Sequence, residues 1–159
     1  MLGVRAVAPY AGAFVLLSGA FALAEPVRPV TGPVIVARES AGEARLIWDA
    51  TAYVTQLVSE KIGGERGLHA LEATALRALA EKGKTLAATT LTLSVTYAKS
   101  GAVSPVYGSA TFAGFEPVVT IAVKRAALAQ HAAAWSEQLA NGTVPRGLTV
   151  SVTGQLPPV

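Results

Sequence analysis

The chain has 159 residues, the length of a single domain, and 52% of them are hydrophobic while only 14% are charged. This balance excludes an intrinsically disordered chain, which combines low hydrophobicity with high charge. The absence of cysteine excludes disulfides, thiolate zinc sites and a cysteine nucleophile. A formal net charge of +3 is too small by itself to indicate nucleic-acid binding.

The first 24 residues have the pattern of an export signal. Arg5 is their only charged residue, and a run of apolar and small residues ends at Ala24. Small residues at Ala22 and Ala24 predict cleavage before Glu25. The run is shorter than the roughly 20 apolar residues that a membrane-spanning helix needs. We therefore expect a signal peptide at 1–24 and a periplasmic or secreted protein; the alternative is an uncleaved N-terminal anchor, which would bring the domain into contact with the membrane.

The remaining chain divides into an arm, one domain and a tail. Residues 25–39 are a proline-rich arm in which residues 34–36 could form a short strand. The domain extends over residues 40–154, and residues 155–159 form a C-terminal tail. No internal repeat or low-complexity tract interrupts the domain.

The first part of the domain has helical periodicity. Ser40 and Glu43 have the spacing of a capping box, which predicts the start of a helix, and apolar residues follow at three- and four-residue intervals up to Val58. A second helix is predicted from about Glu65 to Lys82. Because a short glycine link joins the two, we expect them to pair as a helical hairpin.

Beyond the second helix the hydrophobic period changes from that of a helix to that of a strand. Apolar residues alternate with Thr and Ser over residues 90–97, which predicts a half-buried strand. Further strands are predicted at 106–113, 118–124 and 148–152, with a third helix over 125–140, and short connections favour an antiparallel meander of the first three strands. The predicted fold is α+β: a helical hairpin and a third helix packed on one face of a four- to five-stranded, mainly antiparallel sheet.

Two histidines are the candidates for catalysis. His69 lies on the second helix with Glu65 and Glu72 on the same flank, and this trio could bind a cation or act as a general acid–base pair. The alternative is a half-exposed flank with ordinary Glu–His pairs. His131, four residues before Trp135, could face a pocket or pack its ring on that tryptophan. A zinc site would need more ligands than these, so we predict no metal and no cofactor; serine-nucleophile motifs are also absent.

Surface residues offer a second candidate site. In the predicted first helix, Trp48 falls on the polar face with Thr55 and Ser59, and a tryptophan there is typical of an interface anchor. The alternative is burial of Trp48 beneath the proline-rich arm or against the second helix. Basic residues are scattered and lack stacking aromatics, which argues against nucleic-acid binding; they are Arg77, Lys82 and Lys84 near one helix end, and Lys124 and Arg125 near another.

These features predict a small exported, non-catalytic domain that acts as a binding or assembly module. Its expected partner is an envelope protein or a small ligand. The alternatives are a small periplasmic enzyme with a His/Glu pair in a cleft between helix and sheet, and a subunit tethered by its uncleaved N-terminus.

Overall fold

The computed structural model describes residues 29–98, 117–157 and 159. Within them, three helices pack on a five-stranded sheet, which confirms the predicted α+β class. The elements in chain order are β1 (Val34–Glu39), β2 (Glu43–Asp49), α1 (Thr51–Ser59), α2 (Gly64–Gly83), β3 (Thr90–Thr96), β4 (Val119–Lys124), α3 (Arg125–Ala140) and β5 (Leu148–Val152). None of these helices is long and apolar enough to cross a membrane.

The strands lie in the sheet in the same order as in the chain. Strand β2 runs parallel to β3, whereas β1–β2, β3–β4 and β4–β5 are antiparallel pairs, so the sheet is mainly antiparallel as predicted. A parallel pair requires the chain to return to the starting end of the sheet. Helices α1 and α2 make this return. In the chain they come between β2 and β3, which are neighbours in the sheet.

The predicted first helix is wrong over its first half, because these residues form β2. Ser40 and Glu43 do not cap a helix; they close the turn between β1 and β2, where the Ser40 hydroxyl donates to the Glu43 carbonyl (3.1 Å) and accepts from its N–H (3.2 Å). In β2 the buried residues Ala44, Leu46 and Trp48 alternate with more exposed ones. This alternation buries one face of the strand against the helices. The apolar residues of the same segment also fit a helical spacing, and that spacing led to the incorrect helix prediction.

Strands β3 and β4 are direct neighbours, so the predicted order of the meander is wrong. Leu91 lies opposite Val123, and Leu93 lies opposite Ile121. The prediction of a strand at 106–113 falls outside the described residues. The other predicted strands and the helix over 125–140 are confirmed.

Helix α2 is the centre of the helical layer. The buried hydroxyl of Ser136 on α3 donates to the Ala73 carbonyl of α2 (3.1 Å). From α1, the hydroxyl of Tyr53 donates to the Ala70 carbonyl (3.1 Å) and lies 2.8 Å from the Thr74 hydroxyl. The closest helix packing is between α2 and α3, so the structure does not confirm the predicted hairpin of α1 with α2.

Trp48 belongs to the hydrophobic core, and its predicted position on an exposed polar helix face is wrong. Its side chain is fully buried, its Nε1–H donates to the Thr31 carbonyl (3.0 Å), and its ring meets that of Tyr53 edge-on at 5.3 Å. Gly32 (φ +98°) lets the arm pass here, because a Cβ would collide with the Asp49 carbonyl. The alternative, burial beneath the proline-rich arm, is therefore correct.

Candidate functional site

A groove lies between the C-terminal half of α2 and the N-terminal half of α3 and has a volume of about 800 Å³. We call it the basic groove. Its apolar lining includes the buried side chains of Leu91 and Leu128. The remaining apolar lining consists of small alanine side chains on both helices and of two arm residues; these are Ala80, Ala129, Ala132, Ala133, Pro29 and Val30.

The end of α2 comes close to the sheet at the base of the groove because its last residue is glycine. A Cβ on Gly83 would lie 2.8 Å from Cδ1 of Leu91, closer than real Cβ contacts. A larger residue at Gly83 would therefore displace the Leu91 side chain or the helix end.

Three basic side chains and one acidic side chain line the basic groove. Lys84 contacts the acidic residue, Glu81, with 3.1 Å between Nζ and Oε2. The Nε–H of Arg125 donates to the Ala88 carbonyl (3.0 Å), which holds its half-buried side chain in place. Arg77 is exposed, and no hydrogen bond or ion pair joins it to another residue in the described ranges. The groove therefore has an excess of positive charge over an apolar floor.

The predicted His69 trio lies on α2 but outside the basic groove. Glu65 is exposed in the first turn, whereas His69 is half-buried beneath the turn that follows α3. A Cβ on Gly142 (φ +87°) would lie 2.9 Å from Cε1 of His69, so the imidazole packs against the backbone of this turn. Residues 29–98, 117–157 and 159 contain no group of three or more His, Cys, Asp or Glu that could hold a metal ion.

Glu72 is buried, with only 6% of its surface exposed, and the expectation of a half-exposed flank is wrong for it. Burial raises the pKa of its carboxyl to about 7, because the charged form loses hydration. No hydrogen bond or ion pair compensates this carboxylate within the described part of the chain. The alanine-rich sequence around Glu72 was the available signal, since small residues on several faces of a helix indicate close packing on each of them.

His131 packs on a neighbouring ring, as one of the two predictions for it states. Its imidazole stacks on the indole of Trp135, with ring centroids 5.0 Å apart and planes inclined by 28°. His131 is exposed and does not line the basic groove. The structure therefore places the two histidines on different helices: His69 packs against the turn at Gly142, and His131 packs against Trp135.

Thr55 and Ser59 are exposed on α1, but the predicted partner Trp48 is not beside them at the surface. The Thr55 hydroxyl donates to the Thr51 carbonyl (2.8 Å), and the Ser59 hydroxyl donates to the Gln56 carbonyl (2.8 Å). Both hydroxyls thus donate to backbone carbonyls of α1 itself. A tryptophan-anchored interface on this face is excluded by the burial of Trp48.

Comparison of the chain with known protein families, with curated proteins and with solved structures finds no match.

Proposed function

We propose that this chain is an exported, non-catalytic binding module whose basic groove binds an acidic peptide segment of an envelope protein. The location rests on the signal-like pattern of residues 1–24, which remains a prediction from the sequence. The observation that carries the binding role is the gathering of Arg77, Lys84 and Arg125 around one apolar groove. Arg77 lies on α2 and Lys84 directly follows that helix, whereas Arg125 begins α3; the packing of α3 on α2 brings Arg125 to the other two.

The charge of the groove favours an anionic partner. Glu81 neutralises at most one of the three cations, so an approaching carboxylate meets unpaired positive charge at Arg77 and on the free side of Arg125. Lys82 and Lys124 are exposed nearby in the sequence and add to the positive field. Such a field raises the association rate and selects against basic partners more than it adds affinity.

The shape of the groove favours a peptide. Its rim of alanine side chains leaves space for the small side chains and the backbone of an extended segment. Pro29 and Val30 of the arm already contact the groove in a stretch that is neither helix nor strand. A polypeptide segment is therefore compatible with this surface, and an acidic one would also pair with its cations.

The first test measures binding of a fluorescein-labelled peptide of alternating glutamate and alanine to the purified chain by fluorescence anisotropy. We expect saturable binding that weakens as salt is raised, because salt screens exposed charges beyond a Debye length of about 10 Å at 0.1 M. The double substitution Arg77→Glu/Lys84→Glu should lower the affinity by about tenfold or more, since it replaces attraction with like-charge repulsion.

The matched control is Arg38→Glu/Arg146→Glu, which changes the net charge equally at exposed positions outside the groove. This control should retain nearly all of the affinity. An equal loss in both double variants would assign the binding to net charge and overturn the groove as the site. A wild-type chain that binds neither this peptide nor its variants of different length would overturn the proposed ligand class.

A further inference from the structure

Strand β5 lies at the edge of the described sheet and is a regular strand without a bulge. All five of its residues pair with β4 in unbroken register, from Leu148 opposite Val123 to Val152 opposite Val119. Among the described residues, β4 is its only neighbour in the sheet. The other side of β5 therefore presents a row of backbone groups that no described strand pairs with.

The hydrogen-bond alternation of β4 and β5 identifies which backbone groups these are. The N–H of Thr153 donates to the Val118 carbonyl (3.0 Å), so the residues two and four positions before Thr153 also face β4. The residues between them, Leu148, Val150 and Val152, point their N–H and C=O groups to the outer edge. Within the described ranges, the Leu148 N–H is the one group used there; it donates to the Pro145 carbonyl (3.3 Å).

The side chains of β5 add no obstacle to pairing. The strand contains no charged residue, no proline and no bulge, which are the devices that usually protect an edge. Val150 and Val152 lie on the side of the sheet that the helices cover, and Val152 is still 45% exposed. Thr149 and Ser151 lie on the opposite face and are exposed.

The other edge of the sheet differs in each of these respects. Strand β1 has an irregularity between Val36 and Arg38, which interrupts its register with β2. Its last two residues, Arg38 and Glu39, are charged and exposed. Edge pairing is therefore disfavoured at β1, whereas no described residue prevents it at β5.

The flank of α3 that borders β5 also carries no lysine, arginine or carboxylate. Trp135 packs on Gly147, directly before β5, and His131 stacks on the same indole, which places this flank of α3 beside the edge. Ala134 and Gln138 continue it at helical spacing and are exposed. A partner strand that approaches β5 therefore meets no lysine, arginine or carboxylate on this flank.

We propose that the partner of β5 is a second copy of this chain, paired antiparallel about a two-fold axis that passes between the two Val150 residues. In this register each Leu148 lies opposite Val152 of the other copy, and each Thr149 lies opposite Ser151. Apolar side chains thus meet apolar ones on the helix-covered face, and hydroxyls meet hydroxyls on the open face. Such self-complementarity is what a two-fold interface requires.

The free backbone groups fit the same register. The N–H and C=O of Val150 pair with the C=O and N–H of the same residue in the second copy. The N–H of each Val152 reaches the free C=O of the opposite Leu148. Every outward group of β5 then has a partner except the carbonyl of Val152, because the Leu148 N–H already binds Pro145.

The test is the mass of the purified full chain in sedimentation velocity. We expect a dimer for the wild type and for Val36→Lys, the control at the β1 edge, and a monomer of half that mass for Val150→Lys and for Val150→Glu. An equal mixture of the two Val150 variants should recover the dimer, because the axis places opposite charges face to face. Circular dichroism would check the fold, and Val152→Lys provides a second, more exposed disruption.

A monomeric wild type at all accessible concentrations would overturn the proposal. A dimer that survives Val150→Lys and Val152→Lys in folded protein would also overturn it. Failure of the two Val150 variants to recover the dimer on mixing would reject the axis at Val150. None of these results depends on the acidic-peptide binding of the basic groove, which the Val150 variants should retain.

Discussion

Replacing Trp48 with alanine is expected to lower the free energy of unfolding by about 3–5 kcal/mol, the usual cost of removing a large buried aromatic side chain. The substitution leaves a cavity beside Tyr53 and removes the indole N–H that donates to the Thr31 carbonyl. Urea denaturation followed by circular dichroism would measure this loss. A Trp48→Phe variant should lose less, because it keeps most of the buried volume but not the N–H donor.

Thr55→Ala is the control for this prediction. Thr55 is exposed on α1 and was assigned to the same surface by the sequence pattern, yet its hydroxyl only binds its own helix. We expect its stability to change by less than about 0.5 kcal/mol, as for most surface substitutions. A Trp48→Ala protein with wild-type stability would contradict the core position of the indole.

Replacing Glu72 with glutamine is expected to remove a loss of stability that the wild type undergoes as the pH rises. The folded-state pKa of this carboxyl is about 7, above its ordinary value of 4.5, so the folded chain holds the proton more tightly than the unfolded chain. The protonated carboxyl therefore contributes stability that is fully present below pH 4.5 and is lost as the pH rises to about 7. Glutamine has the shape of the protonated acid and does not titrate.

At pH 8 the Glu72→Gln protein should be more stable than the wild type by about 1–2 kcal/mol, less than the full pKa shift implies because part of the carboxylate still faces water. At pH 4 the two proteins should differ little. Thermal unfolding of the Glu72→Gln protein and the wild type over this pH range would measure the difference in stability. The pH dependence that comes from all other groups is common to both proteins and cancels in this difference. Glu65→Gln, an exposed position on the same helix, should follow the wild type at every pH. A constant difference between Glu72→Gln and the wild type would contradict the raised pKa.

The elements that could be predicted from the sequence are those with a long and unambiguous period. Helix α3 was predicted with its observed bounds, and α2 within a residue or two at each end. Strand β3 followed from the alternation of apolar residues with Thr and Ser. In these segments a single repeat distance accounts for the burial of one face, so the local pattern and the fold agree.

Strand β2 was missed because two periods fit its residues. Leu46, Ala50, Tyr53 and Leu57 have helical spacing, whereas Ala44, Leu46 and Trp48 have strand spacing, and the chain uses both in turn. The choice between them depends on β3, which supplies a parallel partner for β2 from more than forty residues away in the sequence. A short apolar segment does not contain that information.

The candidate site was missed for a similar reason. Arg77, Lys84 and Arg125 were recognised as basic residues near two helix ends, but their spacing does not indicate that the ends meet. The packing of α3 on α2, with Ser136 bound to Ala73, brings them around one groove. The same packing buries Glu72, which helical geometry alone had placed on a half-exposed flank.

The sequence by itself determined the α+β class, the core-facing sides of α2, α3, β3 and β5, and the expectation of export. These properties follow from the order of apolar and polar residues within single segments. A helix or strand that is buried on one face repeats its apolar residues at a fixed interval, and this interval is visible in the local sequence. Only the tertiary structure decided that Trp48 is core, that Glu72 is buried and that distant cations surround one groove. Each of these depends on which segments pack together, and that choice is made by contacts between residues far apart in the chain.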